Sequence, residues 1–171
     1  MVGHRSQARR YAVLAIYQWQ LTGQDAREIA RHFFDDPVWV DELADSLAEM
    51  EEEAGAAPQG RSSFDRKLFR ELVHGVPERL AELDTRLKPA LDRGIEQVDP
   101  VERAILRLGV YELLYCPGVP YRVAINEAVD LAKLFGAEQG HRYVNGVLDR
   151  VARDVRPAEA GAGATGRERA P

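Results

Sequence analysis

The chain has 171 residues, of which 45% are hydrophobic and 30% are charged, and its formal net charge is −5. This length suits one domain with a substantial buried core, and the composition is that of an ordinary globular protein. No apolar run approaches the ~20 residues that cross a bilayer, and the single cysteine, Cys116, excludes a disulfide framework and a cysteine metal cluster. The N-terminus lacks the unbroken apolar core of a signal peptide, so we expect a cytoplasmic protein.

Charges are unevenly distributed along the sequence. Residues 35–53 contain nine acidic residues and no Lys or Arg. The first acid of the chain is Asp25, and the charged residues before it are the arginines Arg5, Arg9 and Arg10, with His4 beside them. Such a basic end could bind a polyanion even in a mildly acidic protein. The alternative is that these arginines serve only solubility, as exposed charges commonly do.

Helical apolar spacing predicts three helices before residue 54. The first covers residues 7–21, and its apolar face comprises Ala8, Ala12, Ala15, Ile16 and Trp19. Asp25 is expected to cap a short second helix, with Glu28 completing a capping box. Asp36 and Pro37 open a third helix, whose acids face away from its apolar side. Residues 54–63 have the composition of a loop.

A second half begins at Phe64 with a helical pattern that Pro77 is expected to break. A further helix begins after Asp99, with Pro100 at its first position and Glu102 completing a capping box. Its nearly continuous apolar positions predict a central, mostly buried helix, which CPGVP at residues 116–120 ends. Two more amphipathic helices follow, and Gly136 between them is expected to adopt a left-handed conformation.

The last segment, residues 157–171, is rich in Gly, Ala and Pro and has no apolar period, so we predict a disordered tail. The sequence therefore predicts an all-α domain over residues 1–156, a compact bundle of about seven or eight helices.

Motifs for catalysis and for nucleotide or metal binding are missing from the sequence. It contains no Walker A loop, no G-x-G-x-x-G, no H-E-x-x-H and no G-x-S-x-G. The four histidines are far apart in sequence, so nothing indicates a zinc site. Cys116 has no neighbouring base and is interpreted as a small apolar residue at a turn. Neither an enzymatic activity nor a cofactor is predicted.

Two segments combine positive charge with aromatic rings, as proteins that bind single-stranded nucleic acid do. Arg10, Val13 and Tyr17 share one helical stripe, and FGAEQGHRYVNG, residues 135–146, places Arg142 and Tyr143 at a helix start. The dipole of a helix disfavours positive charge in its first turn, so a recruited anion is one reason for the second pattern. The alternative is that Tyr143 only packs beside the apolar stripe of its helix.

The sequence resembles the NusB family through three stretches. These are ARRYAVLAIYQWQ near the N-terminus, VDPVERAILRLGVYEL, and VPYRVAINEAVDLAKLFGAEQGHRYVNGVLDRVA. The match runs from about Arg5 to Pro157 and is weakest between Thr22 and Ser63. The resemblance implies an all-helical fold of two helical subdomains and no enzymatic activity. It also implies binding of boxA RNA from ribosomal and phage leaders together with NusE, a small-subunit ribosomal protein, in a complex with other Nus factors that makes RNA polymerase resist termination.

The resemblance also assigns roles to individual residues. It implies that the arginine-rich N-terminus and a second region around the Phe135–Gly136 turn contact RNA: Arg5, Arg9, Arg10, Phe135, Gly136, Gln139, Arg142 and Tyr143. It places Tyr17 and Glu102 at the surface that faces NusE. Gln139 stands where some members have an acidic residue. Some members form a homodimer over the RNA face.

Two other interpretations are compatible with a helical domain of this kind. A NusB-like domain also precedes the catalytic domain of some ribosomal RNA cytosine methyltransferases, although this sequence has no room for one. A helical protein-interaction module without an RNA role is the other alternative. Titration with boxA-like and scrambled RNA, with and without NusE, separates the three.

Overall fold

A computed structural model of the protein describes residues 3–53, 64–136 and 139–161. Eight α-helices follow one another in these ranges: α1 (His4–Thr22), α2 (Ala26–Asp35), α3 (Pro37–Glu53), α4 (Arg66–Glu78), α5 (Leu80–Leu87), α6 (Pro100–Tyr115), α7 (Tyr121–Phe135) and α8 (Gly140–Val155). The described ranges contain no strand, and none of their helices is long and apolar enough to cross a membrane. The all-α fold class predicted from the sequence is confirmed.

Side-chain caps begin several of the helices. Asp25 accepts a hydrogen bond from the Arg27 amide at the start of α2, and Asp99 accepts from the amides of Val101 and Glu102 at the start of α6. These caps satisfy amides that have no partner within their helix. Among the hydrogen bonds of the described residues, none joins the Asp99 amide to the Glu102 carboxylate. The predicted capping box is therefore only half formed. The Glu102 side chain is instead directed toward α8.

The central position predicted for α6 is confirmed. Eleven of its sixteen residues are buried. The helices α1, α4, α5, α7 and α8 all pack against it. Gly109 allows α8 to approach closely, because a Cβ atom there would lie 2.7 Å from a methyl carbon of Leu148. The helices that carry the candidate site are therefore fixed against one buried axis.

The chain breaks near Pro77 as predicted, since α4 ends at Glu78 and α5 begins at Leu80. The prediction for Gly136 is wrong: it ends α7 with φ −90° and ψ 175°, which is extended backbone. Among the described residues, Gly23 is the glycine with a left-handed conformation, and its amide donates to the Trp19 carbonyl to end α1.

The C-terminal segment begins with ordered structure. Pro157–Gly161 form a helical turn against α8, and Ala160 in this turn is buried. Residues 157–161, at the start of the predicted tail, therefore form a helical turn, and Arg156 and Ala160 hold this turn to the bundle. Residues 162–171 and the predicted loop at residues 54–63 lie outside the described residues.

Candidate nucleic-acid interface

The basic N-terminal residues have three different environments. The Arg5 side chain is 54% exposed and lies 3.7 Å from Asp65. Arg10 is half-buried and forms an ion pair with Glu51, which is itself buried. Arg9 is only 2% exposed. The expectation of an exposed basic end is therefore wrong for Arg9 and holds only partly for Arg10. Of the three arginines, Arg5 alone has an exposed side chain.

Arg9 belongs to a buried polar network between α1, α6 and α7. Its Nε donates to Glu112 Oε1 at 2.7 Å, and its Nη1 lies 3.5 Å from Glu127 Oε1. The Ser6 hydroxyl also donates to that Glu127 oxygen, at 2.8 Å. Glu112 is fully buried, and its burial raises the pKa of its carboxyl while Arg9 opposes that rise. Arg9 thus joins α1 to α6 and α7 through these contacts. Because its side chain is buried, a phosphate has no access to its guanidinium.

The predicted stripe of Arg10, Val13 and Tyr17 is not a surface stripe. Val13 is 1% exposed and lies in the hydrophobic core. Tyr17 is half-buried and packs against this core. One turn further along α1, the Gln20 amide donates to the Pro100 carbonyl at 3.0 Å. This contact joins the end of α1 to the start of α6. Tyr17 and Glu102, predicted to face the same protein partner, therefore lie near one junction of two helices.

A corner cluster forms where α6 and α8 begin, and we define it as Asp92, Arg93, Glu102, Gly140 and Tyr143. The Tyr143 hydroxyl donates to Asp92 Oδ1 at 3.1 Å. The Arg93 guanidinium carbon lies 5.3 Å from the centre of the Tyr143 ring. The Glu102 carboxylate lies so close to the Gly140 backbone that a Cβ atom there would overlap it. Residues predicted separately to contact RNA and protein thus share one corner of the molecule.

Burial, hydrogen bonds and neighbouring charges shift the pKa values of the ionisable groups in this cluster. Hydrogen bonds from Arg93 lower the pKa of the Asp92 carboxyl below its usual value, so Asp92 is ionised at neutral pH. Burial, followed by the hydrogen bond to Asp92, raises the pKa of the Tyr143 hydroxyl. Burial and the nearby Asp99 raise the pKa of Glu102, while Arg93 opposes the rise. The cluster therefore presents an aromatic ring, a cation and two carboxyl groups.

The remaining predicted residues lie around the turn from α7 to α8. Phe135 and Gly136 are half-buried at the end of α7, whereas Gln139 and Arg142 are exposed at the start of α8. Residues 137 and 138 between them are outside the described residues. Gln139 directly precedes Gly140 of the corner cluster. The exposed Gln139 therefore adjoins the corner cluster along the chain.

Asp92 and Arg93 were not predicted as site residues. In the structure the segment that contains them runs between two short 3-10 turns, Lys88–Ala90 and Ile95–Gln97. Two adjacent, oppositely charged residues before Gly94 were the available signal. Their contact with Tyr143, 51 positions further along the chain, could not be deduced from local pattern.

An open cavity of about 810 Å³ lies beside the start of α1. Its wall includes Arg5, Lys67, Glu71 and Cys116. The Cys116 thiol lies 3.5 Å from a Glu71 carboxylate oxygen, and burial together with Glu71 raises the pKa of this thiol to about 12. A thiol in this environment stays protonated at neutral pH, so it is a poor nucleophile. This agrees with the interpretation of Cys116 as a packing residue.

Alkylation of Cys116 by iodoacetamide at pH 9 is expected to be at least about a hundredfold slower than that of a free cysteine, because the thiolate is the reacting species. The rate is measured by mass spectrometry on the native protein. Unfolding in guanidinium chloride serves as the control and is expected to restore the ordinary rate. Equal rates in the native and the unfolded protein would contradict the raised pKa.

Comparison with known proteins identifies the family. The NusB family model matches residues 6–153. The transcription antitermination protein NusB of Nitrosococcus oceani is 48% identical over 159 residues, covering 93% of this chain and 92% of that protein. The NusB of Alkalilimnicola ehrlichii is 49% identical over 152 residues, covering 88% of this chain and 82% of that protein.

Solved structures show the same fold. NusB of T. maritima superposes with a TM-score of 0.68 at 24% identity, covering 95% of this chain and 99% of that one. A chain in a structure of the antitermination factors NusB and NusE with double-stranded RNA superposes with a TM-score of 0.65 at 27% identity, covering 90% and 99%. With nearly the full length of its relatives matched in sequence and in fold, this chain belongs to the NusB family.

Proposed function

We propose that this protein is a transcription antitermination factor that binds boxA-type single-stranded RNA together with NusE. The observation that carries the proposal is the corner cluster, in which Arg93 lies over the Tyr143 ring and interacts with the Glu102 carboxylate, within a protein of the NusB family. Its relatives are named for antitermination, and a similar fold has been solved with NusE and RNA. The role is non-enzymatic and is exercised in the cytoplasm, within a complex of RNA polymerase and other Nus factors.

The RNA surface in this proposal runs along the turn from α7 to α8. Tyr143 offers a half-buried ring for a base, and Arg142 offers an exposed positive charge for phosphate. Phe135, Gly136 and Gln139 complete this region. Arg5 is a separate contact at the start of α1, beside Cys116 at the far end of α6, and Arg10 contributes if its ion pair with Glu51 opens. Arg9 joins α1 to α6 and α7 through Glu112 and Glu127 and has no contact with RNA in this proposal.

The protein-partner surface adjoins the RNA surface at the start of α6. Glu102 supplies a half-buried carboxylate, and Tyr17 lies near it through the junction of α1 and α6. A carboxylate that gains a charged or hydrogen-bonding partner in an interface contributes both specificity and affinity. Because the two surfaces meet in the corner cluster, RNA and NusE are proposed to bind side by side. A homodimer over the same face would compete with RNA.

The test is an electrophoretic titration of boxA-like RNA with two variants, each in the presence and absence of NusE. Tyr143→Ala is expected to weaken RNA binding by about 1–3 kcal/mol through the loss of base stacking, whereas Tyr143→Phe keeps the ring and binds nearly as the wild type. Glu102→Gln is expected to weaken NusE binding and to leave the melting temperature unchanged, because the cap of α6 is provided by Asp99.

Scrambled RNA is the control for sequence preference. Equal binding of boxA-like and scrambled RNA, with no gain from NusE, would favour a helical protein-interaction module. A Tyr143→Ala variant that melts far below the wild type but binds RNA normally when folded would show that Tyr143 is a packing residue.

A further inference from the structure

We propose that Arg93 is a further RNA-contact residue, which binds a phosphate beside the base stacked on Tyr143 and is positioned for this by Asp92. The inference rests on the proposed function and adds a residue to its RNA surface. Arg93 lies outside the motifs that carry the family resemblance, in the connection before α6. Its assignment depends on three features of its surroundings.

The first feature is the geometry of the Arg93–Asp92 pair. Arg93 Nε donates to Asp92 Oδ1 at 2.8 Å, and Nη2 donates to Oδ2 at 3.1 Å. This two-point contact uses one edge of the planar guanidinium. Nη1 has no hydrogen-bond acceptor among the described residues, so its two N–H groups are available to a ligand. An arginine held in this way can bind phosphate oxygens with little further loss of side-chain freedom.

The second feature is the Tyr143 ring, over which the Arg93 guanidinium lies at 5.3 Å. The Tyr143 hydroxyl donates to the same Asp92 carboxylate that holds Arg93. One carboxylate therefore fixes both the cation and the ring. In single-stranded RNA each base is joined through its ribose to a backbone phosphate, so a surface that stacks a base benefits from a cation close beside the ring.

The third feature is exposure. The Arg93 side chain is 47% exposed, whereas Arg103 and Arg107 on neighbouring α6 are buried and paired with Glu96 and Asp84. Arg93 is thus the exposed arginine beside the ring, and the buried ones serve the fold. Its ion pair with Asp92 lies in solvent and contributes little to folding stability, and a phosphate can accept hydrogen bonds from Nη1 while Nε and Nη2 stay bound to Asp92.

A second place in the molecule also combines an arginine, a tyrosine ring and a carboxylate, and it serves as a matched control. The Arg79 guanidinium lies 5.0 Å from the centre of the Tyr115 ring, and the Tyr115 hydroxyl donates to Glu82. Tyr115 ends α6, whereas Glu102 lies in its first turn, so this second arrangement is about 20 Å from the corner cluster at the helical rise per residue. A general effect of losing an arginine over a tyrosine should appear equally at both places.

The experiment compares Arg93→Ala, Arg93→Lys and Arg79→Ala in titrations of boxA-like RNA at several salt concentrations, with and without NusE. Arg93→Ala is expected to bind RNA roughly tenfold more weakly than the wild type, and the slope of log K against log salt should fall by about one. Arg93→Lys is expected to keep the slope and to lose part of the affinity, because lysine keeps the charge without the planar fork. Arg79→Ala is expected to match the wild type.

Thermal melting of each variant shows that the loss is not one of folding, since Arg93 is exposed. Equal affinity and salt slope in Arg93→Ala and Arg79→Ala would overturn the inference while leaving the proposed function intact. A loss in Arg93→Ala that occurs only when NusE is present would also overturn it, because Arg93 would then serve the protein interface. Failure of the proposed function is distinguished by a wild type that does not prefer boxA-like RNA.

Discussion

Replacing Arg9 with alanine is expected to lower the free energy of unfolding by about 3–5 kcal/mol, because it leaves the buried Glu112 carboxylate without its cation. This loss is comparable to much of the stability of a small domain. The measurement is chemical denaturation followed by circular dichroism. A fall in RNA binding of this variant is attributed to a lost RNA contact only after the measured affinity has been corrected for the unfolded fraction. Arg5→Ala is the control, since Arg5 is exposed and its pair with Asp65 contributes at most about 1 kcal/mol.

The effect of Arg9→Ala is expected to depend on pH. Without Arg9, burial raises the pKa of Glu112 in the folded state further above its unfolded value of 4.5. A carboxyl with a raised folded pKa contributes stability that is present below its unfolded pKa and is lost as pH rises through the folded value. The variant should therefore be closer to the wild type at pH 5 than at pH 8. Equal stability of the variant and the wild type at both pH values would contradict the buried network.

Arg156→Ala is expected to cost at least about 3 kcal/mol, because several charge-assisted hydrogen bonds of about 1.5–3 kcal/mol each are lost together. The Arg156 side chain is 7% exposed. It donates to backbone carbonyl oxygens at the end of α6 and in the turn that follows: those of Glu112, Leu113, Cys116 and Val119. The Leu113 oxygen lies in the last turn of α6, where carbonyl oxygens lack a partner within the helix, whereas the Glu112 and Cys116 oxygens also accept from the amides of Cys116 and Val119. Arg156 therefore acts as a cap for the end of α6, supplied from the end of α8.

The same denaturation measurement tests this cap. Arg153→Ala, one turn earlier on α8, is the matched control, because Arg153 is 62% exposed and forms an ion pair with Asp149. Its loss is expected to stay below about 1 kcal/mol. Arg156→Lys keeps the charge but not the planar set of donors, so it should recover only part of the stability. Similar losses in Arg153→Ala and Arg156→Ala would show that Arg156 does not support the end of α6.

The position of Arg156 also explains why helical structure continues past the predicted boundary. The amides of Glu159 and Ala160 donate to the Arg156 carbonyl, and the Glu159 carboxylate accepts from the Arg156 guanidinium at 3.1 Å. A composition rich in Ala, Gly and Pro predicts disorder because it offers few apolar side chains. Here one buried arginine supplies the anchor that the segment itself lacks.

The sequence by itself determined the helical class, the caps at Asp25 and Asp99, the interruption at Pro77 and the burial of α6. Each of these depends on residues within about four positions of one another, because helix periodicity and capping are local interactions. The stretches that resemble the NusB family also identified the family that comparison later established. Local pattern and motif were therefore sufficient for the fold and for the family.

Only the tertiary structure decided which charges are available at the surface. Arg5 and Arg9 are both arginines in the first turns of α1. Arg9 is buried because it binds Glu112, 103 residues further along the chain, whereas Arg5 stays exposed. The meeting of Arg93 with Tyr143 likewise depends on the packing of α8 against the connection before α6. A charged side chain is buried or exposed according to partners that are distant in sequence, and their positions are set by the packing of the whole bundle.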